Sequence, residues 1–171
     1  MSTEIVVLRL IHVVSGVLWG GAIVFLSGFV MPALQQAGPA AAGPVMAGLV
    51  QRRAMTFMPV VATLTILSGF RLYWIMSDGF GPAYVGSPMG LTFLVAGIAA
   101  TIAFAIGMVV TRPAMARVAA LAQQVPSVPE AARPPMQAEM QGLRARARTA
   151  SLAVAWLVGL AAAGMAVARY L

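Results

Sequence analysis

The charged residues are distributed in a way that few folds tolerate. No acid, lysine or arginine occurs from Leu10 to Gln51, from Ala54 to Phe70, from Gly79 to Thr111 or from Thr149 to Ala168. A helix needs about 20 apolar residues to cross about 30 Å of hydrocarbon. The gaps predict four such spans, at about 5–31, 54–77, 88–112 and 149–169. Pro32 is expected to end the first, and Arg71 falls inside the last turns of the second. Each span carries apolar residues round its whole circumference, as a helix in lipid does. The expected fold class is all-α: an integral membrane four-helix bundle, with residues 1–171 forming a single transmembrane domain.

Composition supports this and removes other classes. Only 9% of the 171 residues are charged, against about a quarter in soluble domains. A water-soluble globule and a disordered tail are therefore excluded. There is no Cys, hence no disulfide, thiolate metal site or Cys nucleophile. His12 is the one histidine, and the acids are Glu4, Asp78, Glu130 and Glu139, far apart in sequence. Acid–base catalysis needs tuned titratable groups held in one pocket, so an enzyme is not the expectation. The first span has only Arg9 as a charged leader and an apolar run longer than a signal-peptide core, so it reads as a retained helix.

The net charge of +7 comes from arginine alone, since lysine is absent. Arg52, Arg53, Arg112, Arg117, Arg133, Arg144, Arg146 and Arg148 lie in or beside loops 33–53 and 113–148, while only Arg9, Arg71 and Arg169 flank the other side. The positive-inside rule puts both loops in the cytoplasm and both termini outside. Tyr73, Trp74, Tyr84 and Tyr170 all fall near the outer face, as half of an aromatic belt. Residues 44–53 suit a short amphipathic piece on the inner surface. The Gly- and Pro-rich stretch 78–88 predicts a tight hairpin. Residues 113–124 and 136–148 predict a helical hairpin extending spans three and four into the cytoplasm. No internal repeat of useful strength is visible.

Candidate functional positions are few. Gly16 and Gly20 thin the first span; Ala155, Gly159 and Ala163 recur every four residues in the last. Small residues let helices approach closely in lipid, either within the bundle or against a partner subunit. Arg144, Arg146 and Arg148, with Arg52 and Arg53, read as topology anchors that meet lipid headgroups. Because the arginines flank membrane spans, no nucleic-acid partner is expected. Pro59 is expected to kink the second span. His12 lies about 10 Å below the outer edge at 1.5 Å per residue, and Arg71 lies at similar depth. Ionisable groups there are functional candidates. Beside Arg71, His12 would stay neutral, and a neutral imidazole can ligate a metal. His12 with Met76 and Met165 would suit copper(I) or a six-coordinate haem. His12 alone would serve a five-coordinate haem or a chlorophyll-type pigment, with Arg71 as a second cofactor-binding candidate. The competing reading is a His hydrogen-bonded to a neighbouring helix, with Arg71 reaching outward.

The stretch Leu8-Arg9-Leu10-Ile11-His12, followed by Trp19-Gly20-Gly21 and Pro32, resembles the first helix of a broad family of four-helix bacterial membrane proteins. This family includes CopD-like copper-resistance proteins, HemJ-type protoporphyrinogen oxidases and uncharacterised relatives. Arg52-Arg53 ahead of a helix with Pro59 and Gly69, and the ending Met165-Ala-Val-Ala-Arg169-Tyr170-Leu171, look like the uncharacterised members. The resemblance implies haem or copper handling with His12 as the ligand. HemJ-type enzymes are expected to use a Lys in a later helix, which this chain lacks, so that oxidase activity is not implied.

Two functions follow as expectations. The first is a non-catalytic accessory or packing subunit of a larger respiratory or photosynthetic complex in the bacterial inner membrane, contacting lipids and other transmembrane subunits. The second is a haem- or copper-binding membrane protein using His12. A small transporter has little support, because a broken helix with a midplane polar site is not evident.

Overall fold

A computed structural model describes residues 2–171. Among them every regular element is a helix, and four helical rods are long and apolar enough to cross a membrane: Thr3–Ala37, Ala54–Met76, Pro88–Ser127 and Glu130–Tyr170.

The first rod begins at α1 (Thr3–Phe25), capped by Ser2, whose side chain accepts from the Ile5 amide. It passes through a π-helical turn at Leu26–Val30 into α2 (Met31–Ala37). Pro32 therefore does not end the helix as the sequence suggested. A proline ring clashes with the carbonyl four residues back and removes one donor. Here the Met31 amide reaches back five residues to the Leu26 carbonyl. The widened turn makes room for the ring, and the helix continues. The third rod repeats the device. α6 (Pro88–Ile106) runs through a π turn at Gly107–Thr111, the Arg112 amide reaches Gly107, and Pro113 opens α7 (Arg112–Gln124).

Between the first two rods lies α3 (Pro39–Gln51), and Arg53, with a left-handed φ of 57°, turns the chain into α4 (Ala54–Met76). Pro59 sits early in α4 without interrupting it. The chain then passes a one-turn helix, α5 (Pro82–Val85), to reach α6. Two short 3-10 turns follow α7 and lead into α8 (Arg133–Val167).

The rods form a ring. α1 packs on α4 and α6 on α8 as two extensive antiparallel pairs; narrower contacts of α4 with α6 and of α1 with α8 close it. The central core is built mostly of small and β-branched residues, among them Val61, Ala62, Ala96, Ala100, Val154 and Val158, with Trp19 as the large exception. Large apolar side chains such as Leu10, Val17, Leu67, Val95 and Leu160 point outward instead. That inversion suits lipid, where close packing rather than expulsion from water draws helices together.

α7 and the first half of α8 form the expected helical arm. At 35 residues and about 1.5 Å each, α8 is about 52 Å long, some 20 Å more than a hydrocarbon core requires. The arm has its own apolar seam of Val118, Leu121 and Met140, and an ion pair of 2.9 Å from Arg117 to Glu139. Arg144, Arg146 and Arg148 are exposed at its base, and Arg52 and Arg53 are exposed at the α3–α4 turn.

The opposite end, which carries both termini, is closed by the α4–α6 hairpin. Asp78, Gly79 and Phe80 all have left-handed φ. The cost of that conformation in non-glycine residues is offset by Ser77 and by ring contacts. The Ser77 hydroxyl oxygen accepts from the Phe80 amide at 2.9 Å, and the Phe80 ring lies 5.1–5.9 Å from those of Phe70, Tyr73 and Trp74. Gly90 lets the start of α6 pass the loop: a Cβ there would collide with the Tyr84 carbonyl oxygen. Tyr84 is half-buried, its hydroxyl oxygen is shut away without a partner, and burial, then the neighbouring Tyr73, pushes its phenol above the ordinary value.

Two outcomes follow. Gly90→Ala should lower stability by about 1–3 kcal/mol through overpacking, whereas Gly97→Ala, which meets nothing within 4 Å, should not; thermal melts in detergent compare them. Tyr84→Phe should raise stability by about 1 kcal/mol by removing an unpaired hydroxyl. Because the folded Tyr84 pKa is raised, its contribution is complete below about pH 10 and falls as pH rises through the folded value. The melting midpoint of wild type should therefore drop more steeply above pH 10 than that of Tyr84→Phe.

Candidate functional site around His12

The polar residues of the two best-packed helices meet in one seam. On α1, His12, Ser15, Gly16 and Trp19 follow the spacing i, i+3, i+4, i+7 and share a face. On α4, Thr65, Ser68, Gly69 and Leu72 do the same. Each helix thus presents a larger residue, then Ser-Gly at the third and fourth positions beyond it. The antiparallel pairing puts the larger residue of each over the glycine of the other. A Cβ on Gly16 would meet Thr65 Cγ2 at 3.5 Å; a Cβ on Gly69 would meet the His12 ring at 2.6 Å from Cε1 and 2.9 Å from Nδ1.

Hydrogen bonds join the helices where they approach. Thr65 Oγ1 and Ser15 Oγ are 2.9 Å apart, with the Val61 carbonyl 2.8 Å from the first and the Ile11 carbonyl 2.6 Å from the second. Two hydroxyl protons serve these three contacts. A Thr65→Ser15→Ile11 chain of donation uses both and keeps the interhelical bond.

His12 is half-buried, and its Nδ1 lies 2.8 Å from the Thr65 carbonyl oxygen. A carbonyl only accepts, so Nδ1 carries the proton. In the neutral ring Nε2 is then a free acceptor. The side chains that flank a helical carbonyl belong to the residues three and four further on. For Thr65 these are Ser68 and Gly69, the smallest pair that still offers a polar atom. Ser68 Oγ donates to Leu64 at 2.5 Å and stands 3.5 Å from Nδ1. Among the described residues Nε2 has no hydrogen-bond partner. The buried side-chain polar atoms left unpaired are Tyr84 Oη and Thr111 Oγ1, so Nε2 reaches the molecular surface.

The other sequence candidates lie elsewhere. Arg71 does not join His12. Its guanidinium pairs with Glu4, at 2.8 Å from Nε and 2.7 Å from Nη2, half-exposed near the end of the bundle. Glu4 precedes His12 by two helical turns, about 12 Å of rise. Met76 lies two turns beyond Gly69 on α4, about 10 Å along the axis. Met165 packs against the central core. Among the described residues no three His, Cys, Asp or Glu side chains lie close enough to hold a metal ion. The small residues divide. Gly16 and Gly20 pack inside, Gly20 with a Cβ position 3.1 Å from Val158 Cγ1. Gly159 has nothing within 4 Å of its Cβ position, and Ala163 is exposed, so the α8 stripe faces away from the bundle.

Gly69 and the Thr65 carbonyl were not candidates from sequence. The signal is present in hindsight: both spans contain the same larger residue-x-x-Ser-Gly spacing, His12–Gly16 and Thr65–Gly69. Its meaning depends on which helices pair. No protein family, curated protein or solved structure matches the chain.

The seam should behave as an interhelical hydrogen bond in lipid does. A double-mutant cycle of Ser15→Ala and Thr65→Val should give a coupling of about 0.6 kcal/mol, and no more than about 1.7. Additivity within error would mean the two hydroxyls do not interact.

Proposed function

We propose that the chain is a multi-pass protein of the bacterial inner membrane that presents His12 as the axial ligand of a metallotetrapyrrole, a haem or a chlorophyll-type pigment. The observation that carries this reading is the bond from Nδ1–H to the Thr65 carbonyl, with Nε2 left open. Metal-ligating histidines characteristically donate their other ring N–H to a carbonyl or carboxylate, which sets the tautomer and raises basicity. The resemblance of the first span to CopD-like and HemJ-type proteins implies the same ligand.

The donor set favours one class of cofactor. A metallotetrapyrrole brings most of its metal's donors with it and asks the protein for as little as one ligand, which His12 would provide. A bare copper(I) ion needs companion ligands; Met76 lies about 10 Å along α4 from Gly69, and Met165 packs against the central core. One open ring nitrogen therefore favours a tetrapyrrole over a bare copper ion. When bound, the group would supply light absorption or redox chemistry; His12 would orient it, and the α1–α4 seam would hold His12. The arginine asymmetry supports an orientation with the α7–α8 arm in the cytoplasm and both termini outside. His12 then lies in the outer half of the bilayer.

A second reading, an accessory subunit of a larger respiratory or photosynthetic complex, is favoured by the outer face of α8. Trp156 is 71% exposed, about 10 Å inward from Thr149, beside the open stripe of Gly159 and Ala163. Tryptophan prefers the membrane interface or a protein contact to the hydrocarbon interior, and small residues admit a neighbouring helix. The two readings are compatible, since such a subunit can carry a pigment.

Isolation from native membranes in a mild detergent tests both. The expected result is a tetrapyrrole absorption spectrum at one group per chain, lost in His12→Ala while that variant still melts cooperatively as a folded protein. Stoichiometric partner subunits, with no pigment that depends on His12, would overturn the first reading and leave the second.

A further inference from the structure

The His12 seat depends on a residue that cannot itself touch a ligand. We infer that Gly69 is a positioning residue: its missing side chain seats the imidazole against α4 and thereby holds His12 in the tautomer whose Nε2 is free to bind a metal. The role in ligation rests on the tetrapyrrole reading above; the control of the tautomer does not.

The imidazole occupies the space where a Gly69 side chain would begin. A Cβ on Gly69 would stand 2.6 Å from Cε1 and 2.9 Å from Nδ1, closer than real Cβ atoms approach ring atoms. Three atoms of the same imidazole lie within 3.6 Å of that point, so no small shift of one atom relieves the clash. The imidazole, at the end of a two-torsion side chain, would have to swing away from Gly69, and that movement stretches the Nδ1–Thr65 bond of 2.8 Å. Ser68 Oγ is not an equivalent replacement. At 3.5 Å from Nδ1 it is at the limit of a hydrogen bond, and its own proton points to Leu64. With the Thr65 bond lost, nothing favours protonation of Nδ1 over Nε2, and the Nε2–H form cannot coordinate a metal through the exposed Nε2. By contrast Gly16, the reciprocal glycine, has only an ordinary contact at 3.5 Å, with a methyl group of Thr65. Both glycines thin the same interface, but only Gly69 controls the ring.

His12 is the single histidine of the chain, so protein labelled with 15N-histidine has one imidazole to observe. The measurement is a nitrogen–proton correlation spectrum of the tetrapyrrole-free, full-length protein in detergent, at about pH 8, above the ordinary histidine value. Wild type and Gly16→Ala should show one tautomer, Nδ1 protonated and Nε2 bare. Gly69→Ala should show a mixture with substantial Nε2–H. Haemin titration of the same samples should then give affinity at least tenfold weaker for Gly69→Ala, in the range expected for losing the partner of a ligating histidine.

A wild-type ring carrying its proton on Nε2 would overturn the inference by itself, even if Gly69→Ala fails to fold. So would a Gly69→Ala protein that keeps a pure Nδ1–H ring. The correct tautomers with no haemin binding to wild type would sink the tetrapyrrole reading and leave the positioning role intact. Loss of binding in His12→Ala but full retention in Gly69→Ala would do the reverse.

Discussion

The close approach of α1 and α4 is the contact on which the interesting chemistry rests. Two helices come near enough to share side-chain to backbone bonds only where something is missing from their surfaces. Here Gly16 and Gly69 are missing a side chain, one on each helix, opposite Thr65 and His12. The reciprocity means that neither glycine acts alone. Each makes room for the residue that leads the motif on the other strand of the pair, and the serines between them fill the remaining polar valences. A polar seam in an apolar setting is tolerable only when its groups find partners, and the hydroxyls of Ser15, Thr65 and Ser68 all do. Nε2 of His12 stands apart as an accessible lone pair.

The same accounting explains the prolines. Pro32 and Pro113 lie inside continuous helical rods, where a proline ring would clash with the carbonyl four residues back. In both rods the residue before the proline bonds five residues back, to Leu26 and to Gly107. The repeat of this device in the first and third rods makes the two antiparallel pairs alike in plan. They differ in what fills them: α1 contributes His12, Ser15 and Trp19, while α6 contributes Ala96, Ala100 and Ala103 to its buried face. The reactive group therefore belongs to one pair only, and the other pair is a close-packed alanine and valine seam.

Surface and interior also divide the candidate roles. The α1–α4 pair faces inward with its polar atoms, and α8 turns its small residues and Trp156 outward. A ligand site and a docking face on different helices do not compete. That arrangement is why a pigment-bearing protein and a subunit of a larger assembly are not exclusive readings of this chain.

Much of the architecture was legible in the residues themselves. The four rods, their number and order and the α7–α8 arm follow from gaps between arginines, because charge in hydrocarbon is too costly to be scattered. His12 stood out for the same reason. The fate of Pro32 was misread, since a π turn depends on backbone choices that no residue type announces. Equal depth left Arg71 either beside His12 or reaching outward, because depth does not give azimuth; the guanidinium turns to Glu4 while His12 bonds to the neighbouring helix. Gly159 and Ala163 were spaced as well as Gly16 and Gly20 for packing, yet only the latter two face a neighbour. Local chemistry and hydrophobic period determine which segments are helices and which residues are expensive to bury. Which helix faces which, and at what rotation, is a property of the assembled ring, and that alone decided that His12 rests on Gly69 with one nitrogen bound and the other free.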